Sequence, residues 1–187
     1  MTSPVDLRQF RQTMGFFATG VSIIAIEVEG EIHAMTANAI TSVSLDPMLV
    51  LICIGKHARM ASLLQASSGF SINILREDQQ ALSTYFAGGW RGEPPPPFRF
   101  VPWQNTPRLE GTLAALGCKR YEVLEGGDHW IVIGEVIALM TGIEPHHPLL
   151  FYGGRYGQVN RVERTLAPDL EDIQESVQVF YDPWKEE

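Results

Sequence analysis

The sequence predicts a mainly β domain with short helices, its strands antiparallel, Greek-key-like in order, and wholly or partly closed into a barrel. Three observations carry that prediction. Six or seven segments have the length and the apolar or alternating pattern of strands. They arrive as hairpins instead of alternating with long helices, which argues against a doubly wound parallel sheet. The chain of 187 residues is 45% hydrophobic, enough for one domain with a sizeable core. Closure would remove the open edges of its long strands.

In chain order, Ser3-Pro4-Val5-Asp6 reads as a helix start, with a capping Ser and Pro in the first turn. Phe10, Met14 and Phe17 then recur at helical spacing and predict a buried face. Val21 to Val28 is rich in β-branched residues and reads as a strand, Glu29-Gly30 as a hairpin tip, and Ile32 to Ala37 as the returning strand. Met35 to Ser44, leading to Leu45-Asp46-Pro47, reads by itself as a loop rich in Ser and Thr. Leu49 to Ile54, too short for a helix and bounded by Pro47 and Gly55, reads as a central strand. Met60 to Ala66 has the pattern of a short amphipathic helix, closed by Gly69. Phe70, Ile72 and Ile74 alternate with Ser71 and Asn73, which predicts a half-buried strand. Asp78 is placed to cap a helix through Ala81, Leu82, Tyr85 and Phe86 that ends at Gly88-Gly89.

Trp90 to Pro97 contains four consecutive prolines and reads as a loop with polyproline character, either a connector or, through Trp90 and Arg91, a lid or dimer contact. Two long strands follow, Leu113 to Leu124 and His129 to Leu139, joined by Glu125-Gly126-Gly127-Asp128; Pro148 to Tyr156 reads as a last short strand. Past Gln158 the chain is acidic and carries no chemical motif. The expected organisation is a domain over residues 1–157 and an acidic C-terminal extension over 158–187.

Composition narrows the function. A formal charge of −8 argues against nucleic acid as a partner, because phosphate binding needs clustered Lys and Arg. The N-terminus lacks a basic-then-apolar signal pattern and no apolar run approaches membrane-span length, so a cytoplasmic protein without a membrane partner is expected. Cys53 and Cys118 lie in apolar runs and read as buried small hydrophobes. No glycine-rich dinucleotide fingerprint, phosphate loop or serine elbow occurs. Two distant cysteines and the lone pair His146-His147, read as an exposed turn, offer no metal-ligand spacing.

Two constellations remain. Met35-Thr36-Ala37-Asn38-Ala39-Ile40-Thr41-Ser42-Val43-Ser44 is dense in small hydroxyl and amide side chains, which suit the edge of a planar ligand. It lies between two apolar strands, where so many polar groups need partners, and a ligand is one candidate. Lys56-His57-Ala58-Arg59 stands at the start of the helix through Met60 and Leu63. It is either a solvated basic turn or, with the helix N-terminus, an anion site. A weaker feature is Gly126-Gly127-Asp128-His129, which sets an imidazole at a strand start, either as an exposed turn residue or at a barrel rim. Arg155 and Tyr156, after Gly153-Gly154, bring a cation and an aromatic surface towards that rim.

Several segments, taken in order, carry a resemblance: Phe10-Arg11-Gln12 through Phe17-Ala18-Thr19-Gly20-Val21, His33-Ala34-Met35-Thr36-Ala37-Asn38, Thr41-Ser42-Val43-Ser44-Leu45-Asp46-Pro47, Gly127-Asp128-His129 and Gly154-Arg155-Tyr156. Together they resemble the short-chain flavin reductase family, whose members adopt an FMN-binding split β-barrel, over Phe10 to about Tyr156. The resemblance implies an NAD(P)H-dependent reductase of FMN or FAD, homodimeric, that feeds reduced flavin to a separate monooxygenase. It implies that Thr36, Ala37, Asn38, Ser42, Val43 and Ser44 line the isoalloxazine and ribityl chain. Lys56 and Arg59, flanking His57, would hold the phosphate, and His129 with Tyr156 would stand where nicotinamide approaches. NADH or NADPH would lie against the flavin in one shared groove, and the flavin supplies the chemistry. No catalytic acid or base is then needed, in keeping with the absence of any triad. Ala39 departs from the family pattern, where Ser is frequent, and residues 90–97 and the tail lie outside the resemblance. Two other readings stay open: a barrel that keeps its FMN as an electron carrier or flavin store, and a non-catalytic homodimeric flavin sensor.

Overall fold

The structure, a computed structural model, describes residues 5–142 and 147–159. Its elements are α1 (Leu7–Gly15), β1 (Thr19–Gly20), β2 (Ser22–Val28), β3 (Glu31–Ala37), β4 (Ile40–Leu45), β5 (Met48–Gly55), α2 (Arg59–Ala66), β6 (Gly69–Ile74), α3 (Gln80–Phe86), β7 (Phe100–Trp103), β8 (Thr106–Leu109), β9 (Ala114–Gly126), β10 (His129–Thr141), β11 (Leu150–Tyr152) and β12 (Arg155–Gly157).

Seven strands form one sheet in the order β3-β2-β6-β9-β10-β5-β4, and every neighbouring pair is antiparallel. The terminal strands β3 and β4 do not pair with each other, so the barrel is split instead of closed. β5 and β6 are consecutive in the chain but separated in the sheet by β10 and β9, and α2 makes the crossover. Met60, Ala61 and Leu64 of α2 pack on Ile24, Ile26, Ile52, Ile54, Phe70 and Val132. Each of those fully buried isoleucines contributes roughly 1.5–3 kcal/mol over its exposed state. Burial pushes the thiol of Cys118, in the same core, up to about 12, as an inert packing residue requires.

β6 is buried on both faces, not on one. Ser71 and Asn73 are fully excluded from solvent because the hairpin β7–β8 covers the face expected to meet water. Burying these polar groups is tolerated because each is bonded. Asn73 donates through Nδ2 to the Ile23 carbonyl at 3.0 Å and to Ser71 Oγ at 2.9 Å, and its Oδ1 accepts from the Leu109 N–H at 2.9 Å. The Ser71 hydroxyl donates to the Pro107 carbonyl. The covering hairpin escaped the sequence pattern because Pro102 and Pro107 interrupt it and its turn is Gln104-Asn105, with φ of 49° and 62° and no glycine. Gly69 serves the strand and not the helix end, which falls at Ser67: a Cβ on Gly69 would lie 2.3 Å from the Cys118 carbonyl oxygen.

Other expectations shift as well. Asp6 caps α1, its carboxylate accepting from the Arg8 N–H at 3.3 Å, while Ser3 and Pro4 lie outside the described residues. The apolar face of α1 is not buried. Phe10, Met14 and Phe17 are 55%, 52% and 71% exposed, because the helix is tethered mainly at its C-terminal end, where Gly153 N–H bonds the Gly15 carbonyl. The Ser/Thr-rich stretch is the edge strand β4 and not a loop. Asp78 does not cap α3; Arg76 holds its carboxylate with two bonds of 3.0 and 2.7 Å in a 3-10 turn ahead of the helix. The last strand is two, β11 and β12, turned at Gly153-Gly154 and paired through β11 with β1. Trp90 to Pro97 is irregular, as expected. Its exit is pinned where Phe98 and Phe100 join Tyr85 and Phe86, with ring centroids 5.0 to 6.0 Å apart. His146 lies outside the described residues; the His147 carbonyl accepts from the Glu77 N–H. No helix among the described residues is long and apolar enough to cross a membrane.

Candidate functional site

The end of β3, the helix α3 and the hairpin β11–β12 meet around a pocket of about 180 Å³. Thr36, Ala37, Asn38, Ser83, Phe151 and Tyr156 are among its walls. Its polar groups bond one another. The Thr36 hydroxyl donates to the Ser83 carbonyl at 2.6 Å, Ser83 Oγ and Tyr156 Oη share a hydrogen bond of 2.9 Å, and Asn38 Nδ2 donates to Thr19 Oγ1 at 3.1 Å. The Tyr156 ring stands edge-on to Phe151, centroids 5.6 Å apart. The pocket opens at Asn38 and Phe151 into an apolar groove of about 470 Å³ beneath α1, where Phe10, Arg11, Met14 and Phe17 face Ala39 and Ile40.

Past Asn38 the chain enters β4. The Ala39 carbonyl accepts from the Cys53 N–H, so Asn38 and Ala39 lie beside the last third of β5. Further along, Ser42 pairs with Val50 and Ser44 with Leu49, and Val43 is the extra residue of a β-bulge. Ser42 and Val43 are exposed and Ser44 is half-buried, on the terminal strand of the sheet. Five residues of strand separate Asn38 from Val43, roughly 17 Å at the usual rise.

In the other direction β5 leads to the basic cluster. Lys56 is anchored through its own N–H to the Asp128 carbonyl at 2.9 Å, so the start of α2 and the turn between β9 and β10 are held together. That turn is the two-residue Gly127-Asp128, with Gly127 at φ 68°, and it places His129 opposite Gly55. The Lys56 ammonium bonds the Glu125 carboxylate and lies 4.8 Å from the centroid of the Trp130 ring. This bond, with the lysine's charge, holds the Glu125 carboxyl below the usual glutamate range. Lys56 is therefore committed within the protein, whereas His57 and Arg59 are exposed, and among the described residues Arg59 forms no ion pair. Ala58 occupies the N-cap of α2 and supplies no side-chain bond, which leaves the Arg59 and Met60 N–H groups without a cap, while the Ala61 N–H bonds the Ala58 carbonyl at 2.9 Å. His129 Nδ1 bonds Asp128 Oδ1 at 2.7 Å, and this bond, then the charges of His129 and His57, holds the Asp128 carboxyl low.

The predicted residues thus fall into two groups at one end of the split barrel, bridged by β5. Thr36, Ala37, Asn38 and Tyr156 enclose a pocket; Lys56, His57, Arg59 and His129 stand as a second group of basic side chains. Ser42, Val43 and Ser44 extend away along the sheet edge, and Arg155 is exposed beside the pocket on β12. Sequence reasoning assigned no role to Ser83, Arg11, Glu125 or Asp128. Ser83 had a signal, a hydroxyl placed between the apolar residues Leu82 and Phe86 of one short helix. The partnership of Lys56 with Glu125 spans 69 residues and had none.

The donor set fits a flavin nucleotide. Small hydroxyls and an amide border a narrow pocket, an open strand edge extends from it, and an exposed arginine stands at a helix start without a capping side chain, beyond the end of β5. Comparison with known proteins agrees. The description "Flavin reductase like domain" matches residues 14–160. The NADH-dependent FAD reductase of Streptomyces globisporus is 37% identical over 177 residues, covering 92% of each chain. The reductase subunit HsaB of a flavin-dependent monooxygenase from Rhodococcus jostii is 33% identical over 174 residues, covering 91% of this chain and 87% of that one. Among solved structures, the Streptomyces globisporus NADH:FAD oxidoreductase in complex with NAD and FAD fragments superposes with a TM-score of 0.74 at 34% identity, covering 90% of this chain and 99% of that one. By matched length, by sequence identity and by its split barrel, this chain belongs to the flavin reductase-like family.

Proposed function

We propose that the protein is an NAD(P)H:flavin oxidoreductase that reduces FMN or FAD and supplies the reduced flavin to a separate monooxygenase. The observation that carries this reading is that β5, bonded to Ala39 through the Cys53 N–H, links the Thr36–Tyr156 pocket to the basic start of α2. A bound flavin supplies the ring that accepts a hydride from the nicotinamide. The protein's part is to orient. Thr36 and Asn38 face the ring edge, the ribityl chain runs beside the end of β5, and Arg59 and His57 meet the phosphate at the start of α2; Ser42 and Ser44, in the opposite direction along β4, lie off that path. His129, held by Asp128, stands on the nicotinamide side of the rim. Near-attack geometry is the main contribution of such a site, and neither an acid nor a base is needed.

The test is NADH and NADPH oxidation with FMN or FAD added in excess. Many turnovers of free flavin are expected, and tight flavin binding without turnover would overturn the reading in favour of a sensor. A protein that purifies with its flavin bound, and reduces only that flavin, would be a carrier or store.

Phe10 and Met14 of α1 and the following Phe17 border the groove and are exposed, as are Val43, Leu45 and Met48 around the β4–β5 hairpin; this uncovered apolar surface supports a homodimer with its sites near the subunit interface. Sedimentation at micromolar concentration should give a dimer. Residues 1–157 would then be the reductase unit, with 158–187 an acidic extension whose removal leaves flavin reduction intact. A cytoplasmic location suits the supply of reduced nicotinamide nucleotide.

A further inference from the structure

We propose that Ser83 is a positioning residue of the flavin site, its hydroxyl acting through Tyr156. This inference rests on the reading of the Thr36–Tyr156 pocket as the flavin-binding end of the cleft. Ser83 is fully buried, in the last turn of α3, beside an apolar cluster of Leu82, Phe86, Phe151 and Tyr156. An alanine would fill such a helix position at no polar cost, so the hydroxyl needs a reason. The structure supplies it. Ser83 Oγ shares a 2.9 Å hydrogen bond with Tyr156 Oη. The Ser83 carbonyl accepts both the Ala87 N–H of its own helix and the Thr36 hydroxyl, at 3.0 and 2.6 Å.

One residue therefore ties three elements, β3, α3 and β12, at the pocket wall. Tyr156 is set by Phe151 on its ring and by Ser83 on its oxygen, so its phenol turns inward and its ring borders the pocket. Without the Ser83 hydroxyl the ring keeps its packing and loses the bond that fixes how far it enters. The consequence falls on how well a planar ligand is seated, more than on the reaction once it is seated.

The experiment titrates FMN and FAD by quenching of protein fluorescence and measures flavin KM and kcat for Ser83→Ala, Ser83→Cys, Tyr156→Phe and the double variant Ser83→Ala/Tyr156→Phe. Ser83→Cys keeps the volume and weakens the bond, so it separates a lost hydrogen bond from a lost methyl-sized volume. Each single variant should raise the flavin dissociation constant and KM about three- to tenfold, the worth of one neutral hydrogen bond at about 1.4 kcal/mol per tenfold, and for the Ser83 variants the change in KM should exceed that in kcat. The double variant should be no worse than the poorer single one. Additive losses, or a Ser83 effect that lowers the melting temperature and leaves flavin affinity alone, would overturn the proposal. Unchanged affinity for Tyr156→Phe and for Asn38→Ala as well would remove the pocket from the flavin site, which is the failure of the underlying reading and not of Ser83 alone.

Discussion

The two ends of the cleft solve opposite problems. Around Thr36, Ser83 and Tyr156 the polar groups bond one another in a half-buried setting, and the shape of the pocket exists before any ligand arrives. Around α2 the side chains of Arg59 and His57 stand in water, and Lys56 is committed to Glu125. Internal bonds hold a fixed outline at little cost because the Thr36 and Asn38 donors have acceptors and Ser83 and Tyr156 bond each other. Exposed charges and open helix N–H groups remain available to an anion. A ligand with a flat ring at one end and a phosphate at the other needs both.

The largest effect should come from breaking the support beneath the pocket. Thr36, Ile23 and Asn73 lie in one row across β3, β2 and β6, and Asn73 bonds the Ile23 carbonyl, Ser71 and the Leu109 N–H. Asn73→Ala strands the Leu109 donor in the interior and should cost roughly 2–4 kcal/mol of stability by urea unfolding. A loss below about 1 kcal/mol would show that the row does not hold the wall.

At the charged end, Arg59→Ala should weaken FMN about ten- to a hundredfold, the loss of a charge-assisted bond at about 1.4 kcal/mol per tenfold. Riboflavin, which has no phosphate, should bind almost as before, and the FMN preference should shrink with salt even in the unaltered protein. Lys56→Ala should change FMN affinity less than about threefold, because its charge already serves an exposed ion pair. The reverse ranking would mean that the Lys56–Glu125 pair opens for the ligand. Equal loss for riboflavin and FMN in Arg59→Ala would move that residue from the phosphate to the ring pocket.

A smaller change is expected at His129. His129→Ala should raise the KM for NADH and leave FMN affinity nearly intact; unchanged kinetics would make it a plain turn residue. The smallest effect is electrostatic. His129 holds the Asp128 carboxyl below the ordinary aspartate value, through its hydrogen bond first and its charge second. A depressed carboxyl stabilises the fold above its unfolded-state value and loses that contribution as pH falls through its own. The pair is exposed, so stability should scarcely register it. Carboxyl chemical shifts will, with the Asp128 midpoint moving up towards the ordinary value in His129→Ala.

Much of this was legible before any coordinates. The strands β2, β3, β5, β9 and β10 follow from apolar runs and from glycine turns such as Gly127-Asp128, which are local signals. The order of short motifs from Phe10 to Tyr156 pointed to the family and to both groups of candidate residues. The misreadings share a cause. Ser71 and Asn73 looked solvent-facing because alternation reports one covered face and cannot report a distant hairpin covering the other. Phe10, Met14 and Phe17 looked buried because periodicity marks an apolar face without saying what covers it.

By itself, then, the sequence determined the antiparallel β class, the basic cluster ahead of α2, the hydroxyl-rich run after β3 and the imidazole at the start of β10. Each is written in neighbouring residues, where backbone preference and side-chain alternation act over a few positions. Only the tertiary structure decided that Ser83 meets Tyr156 across 73 residues, that Lys56 is claimed by Glu125 across 69, and that Asn73 staples β2 to β8. Those partnerships form because the curled sheet brings remote chain segments within hydrogen-bond range, where a buried polar group must find a partner or forfeit its hydration.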